Sequence, residues 1–306
     1  MKRASWFLAL GLVMHAELAQ AFVRTHVDPN DNSSPCLFWG RRTVPFHLNA
    51  QGMNHGDNDA GFAALRLSLQ QWTDVDCSDF VYQDQGFSDD RMVSFNRALL
   101  DQPMLVEDVT PFNNIMFRDR SCSDVVPAND ACASTTNNDC MNLYDCWDYG
   151  SGVIALTTTT YNFETGEIFD ADIELNEAEF PFTTADPYPD GGDVCGTLGA
   201  NPLSCVGTDL RNTVTHESGH MLGLGHSADV HATMFASANT GETSKRDLAD
   251  DDIAGICAIY PTGLKAQTCG DAPPTNKGCG CGSAEGATLL PLALGGWLAR
   301  RRRNRG

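Results

Sequence analysis

Basic side chains are scarce in this chain: Lys and Arg number 20 against 40 Asp and Glu, a net charge of −20. Leaving out residues 1–21 and 279–306 removes seven basic and two acidic side chains, so 13 face 38, or −25. Such a surface repels phosphate backbones and argues against nucleic acid as a partner. Long apolar runs are missing too. Trp6–Met14 and Ala287–Ala299 both fall short of the roughly 20 residues of a spanning helix. No two of the 12 cysteines stand in a CxxC pair, which leaves zinc-ribbon and dithiol-redox readings without support. No internal repeat is visible.

What is present begins with an export signal. Lys2 and Arg3 precede the Trp6–Met14 run, and Ala19-Gln20-Ala21 offers a small-residue cleavage site. Residues 1–21 are therefore expected to be a signal peptide, with a mature start near Phe22. Twelve cysteines in an exported chain fit an oxidising compartment. The ten from Cys36 to Cys269 suffice for five disulfides, whose pairing spacing alone leaves open. Cys122, Cys132, Cys140 and Cys146 fall in a polar stretch, 120–148, expected to be a disulfide-stapled surface loop. Cys195 and Cys205 are placed to close the long Pro- and Gly-rich loop 183–208.

Residues 41–49 predict a first strand, and a helix follows from Asp57 or Asn58, carrying Phe62, Leu65, Leu69 and Trp72 on one face. Short strands are expected at Phe80–Tyr82 and Ile115–Phe117. Val153–Thr160 and Glu167–Leu175 read as two strands joined by a turn at Asn162–Gly166. Asp170, Asp172 and Glu174 alternate along the second, either as Ca²⁺ ligands or as a solvated strand face. A further helix starts at Thr208 or Asp209, and a last one spans Asp247–Tyr260 with acids in its first turns and Pro261 ending it.

Chemistry is concentrated in His216-Glu217-Ser218-Gly219-His220-Met221-Leu222-Gly223-Leu224-Gly225-His226. Residues i and i+4 of a helix share a face, so His216 and His220 offer two imidazoles to one metal. Gly223 lets the chain leave the helix and swing His226 back as a third ligand. Three neutral imidazoles leave a tetrahedral ion one open position, which marks a catalytic zinc rather than a structural one. Glu217, beside that face, is placed as general base for the attacking water. Met234 follows eight residues after His226 and is expected as an apolar floor beneath the metal, not a ligand. His47, His55 and His231 are scattered and read as ordinary strand or surface histidines.

This extended motif with a following Met-turn resembles that of the metzincins. Ser227 after the third histidine, the spacing of Met234 and the segment Leu248–Tyr260 are similar to the matrixin group, and Gly166–Asn176 resembles a strand of bacterial matrixin-like peptidases. Phe235 and Ala236 stand where animal matrixins often have Tyr-Pro, and the histidines of their second, structural zinc have no counterpart. The resemblance implies an α+β fold of the zincin or metzincin type: a twisted mixed β-sheet, an active-site helix and a small C-terminal subdomain ending in a helix. It also implies a monomeric zinc endopeptidase over residues 22–261 that acts on protein or peptide substrates, with His216, His220 and His226 as metal ligands, Glu217 as the catalytic residue and Ca²⁺ as an optional structural ion. The rival reading is an inactive cell-surface binding or adhesion protein that retains the zinc site.

Residues 262–278 read as a linker. The tail 279–306 combines Cys279-Gly280-Cys281, the apolar run and five arginines, and resembles the Myxo-CTERM type of bacterial sorting tail. That resemblance implies membrane association through the tail and an extracellular, cell-surface or outer-membrane location.

Overall fold

The computed structural model describes residues 22–93, 111–134, 138–184 and 207–269. The expected signal peptide, the sorting tail, most of the linker and the Cys195–Cys205 loop lie outside them.

The first element is a short strand, β1 (Val23–Arg24), ahead of the β2 strand (Thr43–Asn49) that the sequence predicted. Helix α1 (Asn58–Thr73) is capped by the Asp57 carboxylate, which accepts from Asp59 N and Ala60 N. It leads to β3 (Val81–Ser88), which continues six residues past the expected Tyr82 end because it pairs with β2. Then come β4 (Asn114–Arg118), α2 (Cys122–Val125) and α3 (Asn138–Tyr144), followed by β5 (Ala155–Tyr161) and β6 (Ile168–Asn176). Two-residue strands β7 (Phe182–Thr183) and β8 (Thr208–Asp209) precede α4 (Leu210–Met221), β9 (Leu224–Gly225) and α5 (Asp250–Ile259).

The main sheet has the order β3-β2-β4-β6-β5. All its pairs are parallel except β5–β6, an antiparallel hairpin through the expected Asn162–Gly166 turn. Gly166 needs to be glycine there: its φ is +78°, and a Cβ would sit 2.2 Å from the Cys36 carbonyl oxygen. The order leaves β5 at one edge.

Period-two alternation gives the sheet two chemically different faces. Val44, Phe46, Leu48, Ile115, Phe117, Ile173 and Leu175 belong to the main core, together with Leu65, Leu69 and Trp72 of α1 and Leu210 and Val214 of α4. Trp72 Nε1 donates to the Thr215 carbonyl across the helix pair at 2.9 Å, and Ser68 Oγ donates to that of Arg211 at 3.1 Å.

The other face corrects the reading of Asp170, Asp172 and Glu174 as solvated. They are 3, 3 and 0 % exposed. Asp172 accepts from Asn114 N at 2.8 Å, and Asp170 accepts from Phe112 N at 3.3 Å. Glu174 pairs with the fully buried Arg118 guanidinium at 2.7 Å, which also meets Asp145 at 2.6 Å. Asp145 belongs to the 120–148 loop and collects Arg91 and Arg120 as well. Alternation was therefore legible, but this face is buried, and a buried carboxylate must then find N–H donors, as Asp170 and Asp172 do, or a cation, as Glu174 does. Among the described residues the three acids do not gather into a cation-binding cluster.

The loop is stapled internally, as expected, by Cys122–Cys146 and Cys132–Cys140. Two further disulfides, Cys36–Cys269 and Cys77–Cys257, join positions 233 and 180 residues apart. No helix among the described residues is long and apolar enough to cross a membrane. The last helix begins at Asp250 rather than Asp247, because 244–246 form a separate 3₁₀ turn that Asp247 ends.

Candidate active site

Helix α4 starts where Asp209 caps it, its carboxylate accepting from Asn212 N at 2.7 Å, and carries His216 and His220 on one side. Gly223 follows with φ +101°, and a Cβ there would lie 2.4 Å from the Leu37 carbonyl oxygen, so both the turn and the packing require glycine. Strand β9 then delivers His226. It is held antiparallel to β1, so the first residues of the described chain brace the turn that returns this histidine. Trp39 and Tyr260 secure the same turn, through Trp39 Nε1 to the Met221 carbonyl and Tyr260 OH to that of Leu222.

The three imidazoles converge. Their ring centroids lie 4.7–5.3 Å apart, and one nitrogen from each falls within 4.8 Å of the others. His216 Nδ1 lies 2.6 Å from the Thr233 carbonyl oxygen and His220 Nδ1 lies 2.8 Å from that of Leu224. A carbonyl only accepts, so each Nδ1 carries the proton and each Nε2 keeps its lone pair for a metal. His220 Nε2 and His226 Nε2 are 3.1 Å apart. Two nitrogens about 2.0–2.1 Å from a tetrahedral zinc would be roughly 3.3 Å apart, so the donor set fits that ion. Burial, the leading cause for each, holds all three imidazoles below the usual histidine value, which favours the neutral form that can bind a metal.

Glu217 is buried beside them. Burial raises its carboxyl to about 7, opposed by a hydrogen bond from Thr157 and by the positive charge of Lys245. The Thr157 hydroxyl, on edge strand β5, lies 2.7 Å from Glu217 Oε2 and 3.0 Å from the Glu217 carbonyl oxygen. Nothing in the β-branched run around Thr157 distinguishes it from its neighbours, so its role emerges only when β5 is laid beside α4.

Met234 is 2 % exposed and packs into α4, where a Cβ on Gly219 would meet its sulfur at 2.2 Å. Its turn is fastened by one carboxylate. Asp252 accepts from Thr233 N at 2.7 Å, Met234 N at 3.0 Å and Ala249 N at 2.9 Å. In sequence Asp252 is one of three consecutive acids in a helix start, a pattern explained by the helix dipole alone. His47, His55 and His231 are not part of the cluster, and His47 instead stacks on Phe112 at 4.3 Å. The other metal-type grouping among the described residues, His26 with Cys36 and Cys269, is a histidine beside a disulfide.

A cleft of about 620 Å³ opens over the cluster. Ile154–Thr157 of the sheet edge border it on one side, Ala236–Ala238 beyond the Met turn on another, with Lys245 among the lining residues.

Residues 147–261 match the Matrixin family, Peptidase_M10. Metalloendoproteinase 1-MMP of Arabidopsis thaliana is 47% identical over 55 residues, 18% of this chain and 15% of that protein. Metalloendoproteinase 1 of Glycine max is 50% identical over 52 residues, 17% of each chain. Matrilysin of Homo sapiens is 40% identical over 57 residues, 19% of this chain and 21% of that protein. The chain thus spans about a fifth or less of these curated relatives. Residues 147–261 hold β5, β6, the histidine helix, the Met234 turn and α5, and over them the chain is matrixin-like, on an α+β metzincin-like fold.

Proposed function

We propose that this chain is an exported zinc-dependent endopeptidase, with His216, His220 and His226 holding the metal and Glu217 acting as general base. The observation that carries the reading is the convergence of three imidazoles, two of them oriented by backbone carbonyls, beside a buried carboxylate in an open cleft. When bound, zinc supplies a Lewis acid for the scissile carbonyl and for a water molecule. The residues of the chain do the rest. Glu217, raised to about 7 by burial, takes the water's proton and passes it to the leaving amine. The outer edge of β5, unpaired among the described strands, receives an extended peptide as an added strand. Met234 and Asp252 keep the floor under the cluster in place.

Export follows from the signal-like residues 1–21 and fits four disulfides among the described residues. The 279–306 tail would then tether a monomer to a membrane surface.

The direct test follows cleavage of a denatured protein mixture by the disulfide-bonded chain, with a zinc chelator and after zinc is restored. Cleavage that disappears and returns supports the reading. Stoichiometric zinc without cleavage would make the chain a zinc-holding binding protein instead.

Thr157 is a positioning residue in this scheme. Thr157→Val keeps the shape of the strand but removes the donor to Glu217 Oε2. A fall of about three- to tenfold in kcat/KM is expected, the worth of one hydrogen bond. That bond favours the ionised carboxylate, so its loss also moves the acid limb of the pH profile upward. Unchanged zinc content with an unmoved acid limb would assign Thr157 to the sheet alone.

A further inference from the structure

Lys245 is a buried cation that the proposed reaction does not use. Its residue is 4 % exposed, yet it lines the cleft. Its ammonium donates to the carbonyl oxygens of Phe235 and Ser237, which accounts for two of its three N–H groups. No carboxylate among the described residues lies within ion-pair distance of it. Among the described residues that line the cleft, Glu217 is the only carboxylate and Lys245 the only Lys or Arg. Its position is fixed twice over. Lys245 N donates to Asn212 Oδ1 at 2.8 Å, and the neighbouring Arg246 pairs with the buried Asp209 carboxylate at 2.6 Å, both anchors lying at the start of α4. The charge is therefore held at a set place beside the Ala236–Ala238 wall, and its field is felt at His216, His220, His226 and Glu217.

We infer that Lys245 makes this cleft select an acidic side chain, Glu or Asp, on a residue flanking the scissile bond. The inference rests on the peptidase reading and adds its specificity. This ammonium meets two carbonyl oxygens and, 5.8 Å away, the Phe235 ring, but no carboxylate of the described residues at ion-pair distance, and an entering carboxylate supplies the missing opposite charge through a charge-assisted hydrogen bond. An apolar side chain supplies no such charge, and a basic one adds repulsion. Burial lowers the Lys245 pKa, in keeping with an under-compensated charge, while Glu242, Asp252 and Glu217 act in the opposite sense. The protein's overall charge of −20 repels acidic peptides at long range, so the selected residue should be an isolated acid in an otherwise neutral or basic segment.

The test compares the disulfide-bonded chain with Lys245→Met and Lys245→Arg on peptides that differ only in Glu, Leu or Lys at each position around the cleavage point. The wild-type chain should favour Glu at one position by roughly ten- to a hundredfold in kcat/KM, the range of a charge-assisted hydrogen bond. Lys245→Met should bring the ratio of Glu-peptide to Leu-peptide kcat/KM, each read within the same variant, down to about one, and Lys245→Arg should keep the wild-type ratio. Equal losses on every peptide would reduce Lys245 to a clamp on the Phe235–Ser237 backbone and overturn the inference, as would a wild-type chain indifferent to Glu. Calorimetric binding of the same peptides to Glu217→Ala, with and without Lys245→Met, reads the cleft without turnover. A Glu preference in binding with no cleavage by the wild-type chain would refute the peptidase reading and leave the Lys245 site standing. Cleavage with no Glu preference in either readout would do the reverse.

Discussion

Glu217→Ala is expected to lower kcat by about a hundredfold to ten-thousandfold while zinc stays at one ion per chain. The size follows from what the carboxylate does and from how little else depends on it. Glu217 is buried with its Oε2 toward Thr157, and that hydroxyl retains the residue 217 carbonyl oxygen, 3.0 Å away, as acceptor. Truncation therefore leaves no orphaned buried donor, and the fold and the three imidazoles should survive. His216 and His220 are oriented by carbonyls of Thr233 and Leu224, neither of which involves Glu217. Turnover on a fluorogenic peptide and metal content on the same preparation separate the possibilities. Loss of both activity and zinc would mean that Glu217 shapes the site; undiminished turnover would remove it from the reaction.

A second large effect is expected from Asp252→Ala, a residue that touches no ligand. Its carboxylate is fully buried and accepts three backbone N–H groups, from Thr233, Met234 and Ala249. Removing it leaves three donors unpaired, at about 1–3 kcal/mol each, so a loss of about 3 kcal/mol or more follows. For a domain of this size each kcal/mol corresponds to about 2–4 °C, giving a fall in Tm of roughly 6 °C or more. The damage should reach the metal site by a short route. Thr233 N is held by Asp252, and the Thr233 carbonyl orients His216. Zinc affinity should drop by about ten- to a hundredfold, as for lost partners of ligating histidines elsewhere. Thermal unfolding and competition with a zinc indicator measure the two effects. A Tm within 2 °C of wild type by rough reckoning would show that the Met234 turn stands without this carboxylate.

The two residues differ in how they can be read. Glu217 is found by spacing, because i, i+1 and i+4 on one helix settle which side chains share a neighbourhood. Asp252 looks like a helix-dipole acid until α5 is packed against the Met234 turn. The same contrast runs through the fold. The strands at β2, β5 and β6 and the cap of α1 were legible within a few residues, since they express local alternation and local hydrogen bonding. The length of β3 was not, because pairing with β2 extends it. Nor was the burial of Asp170, Asp172 and Glu174. Alternation assigned them to one face, but whether that face meets water depends on distant partners: Phe112 and Asn114 for Asp170 and Asp172, and Arg118 with Asp145 for Glu174.

By itself, the sequence determined the chemistry on offer: two imidazoles and a carboxylate at helical spacing, a third imidazole beyond a glycine that turns the chain, a methionine further on and cysteines suited to an oxidising compartment. The shared side of His216, Glu217 and His220 is set by covalent distance along one helix, which no tertiary contact has to supply. The tertiary structure decided which distant groups complete that set. It brought Thr157 to Glu217, Asp252 to the Met234 turn, residues 23–24 to the turn before His226, and Cys36 to Cys269 across 233 positions. It also left Lys245 buried at the cleft with no carboxylate of the described residues at ion-pair distance. The physical reason is common to all of them. A buried polar group must be matched by whatever the packing places beside it, and packing is a property of the whole chain that no local spacing encodes.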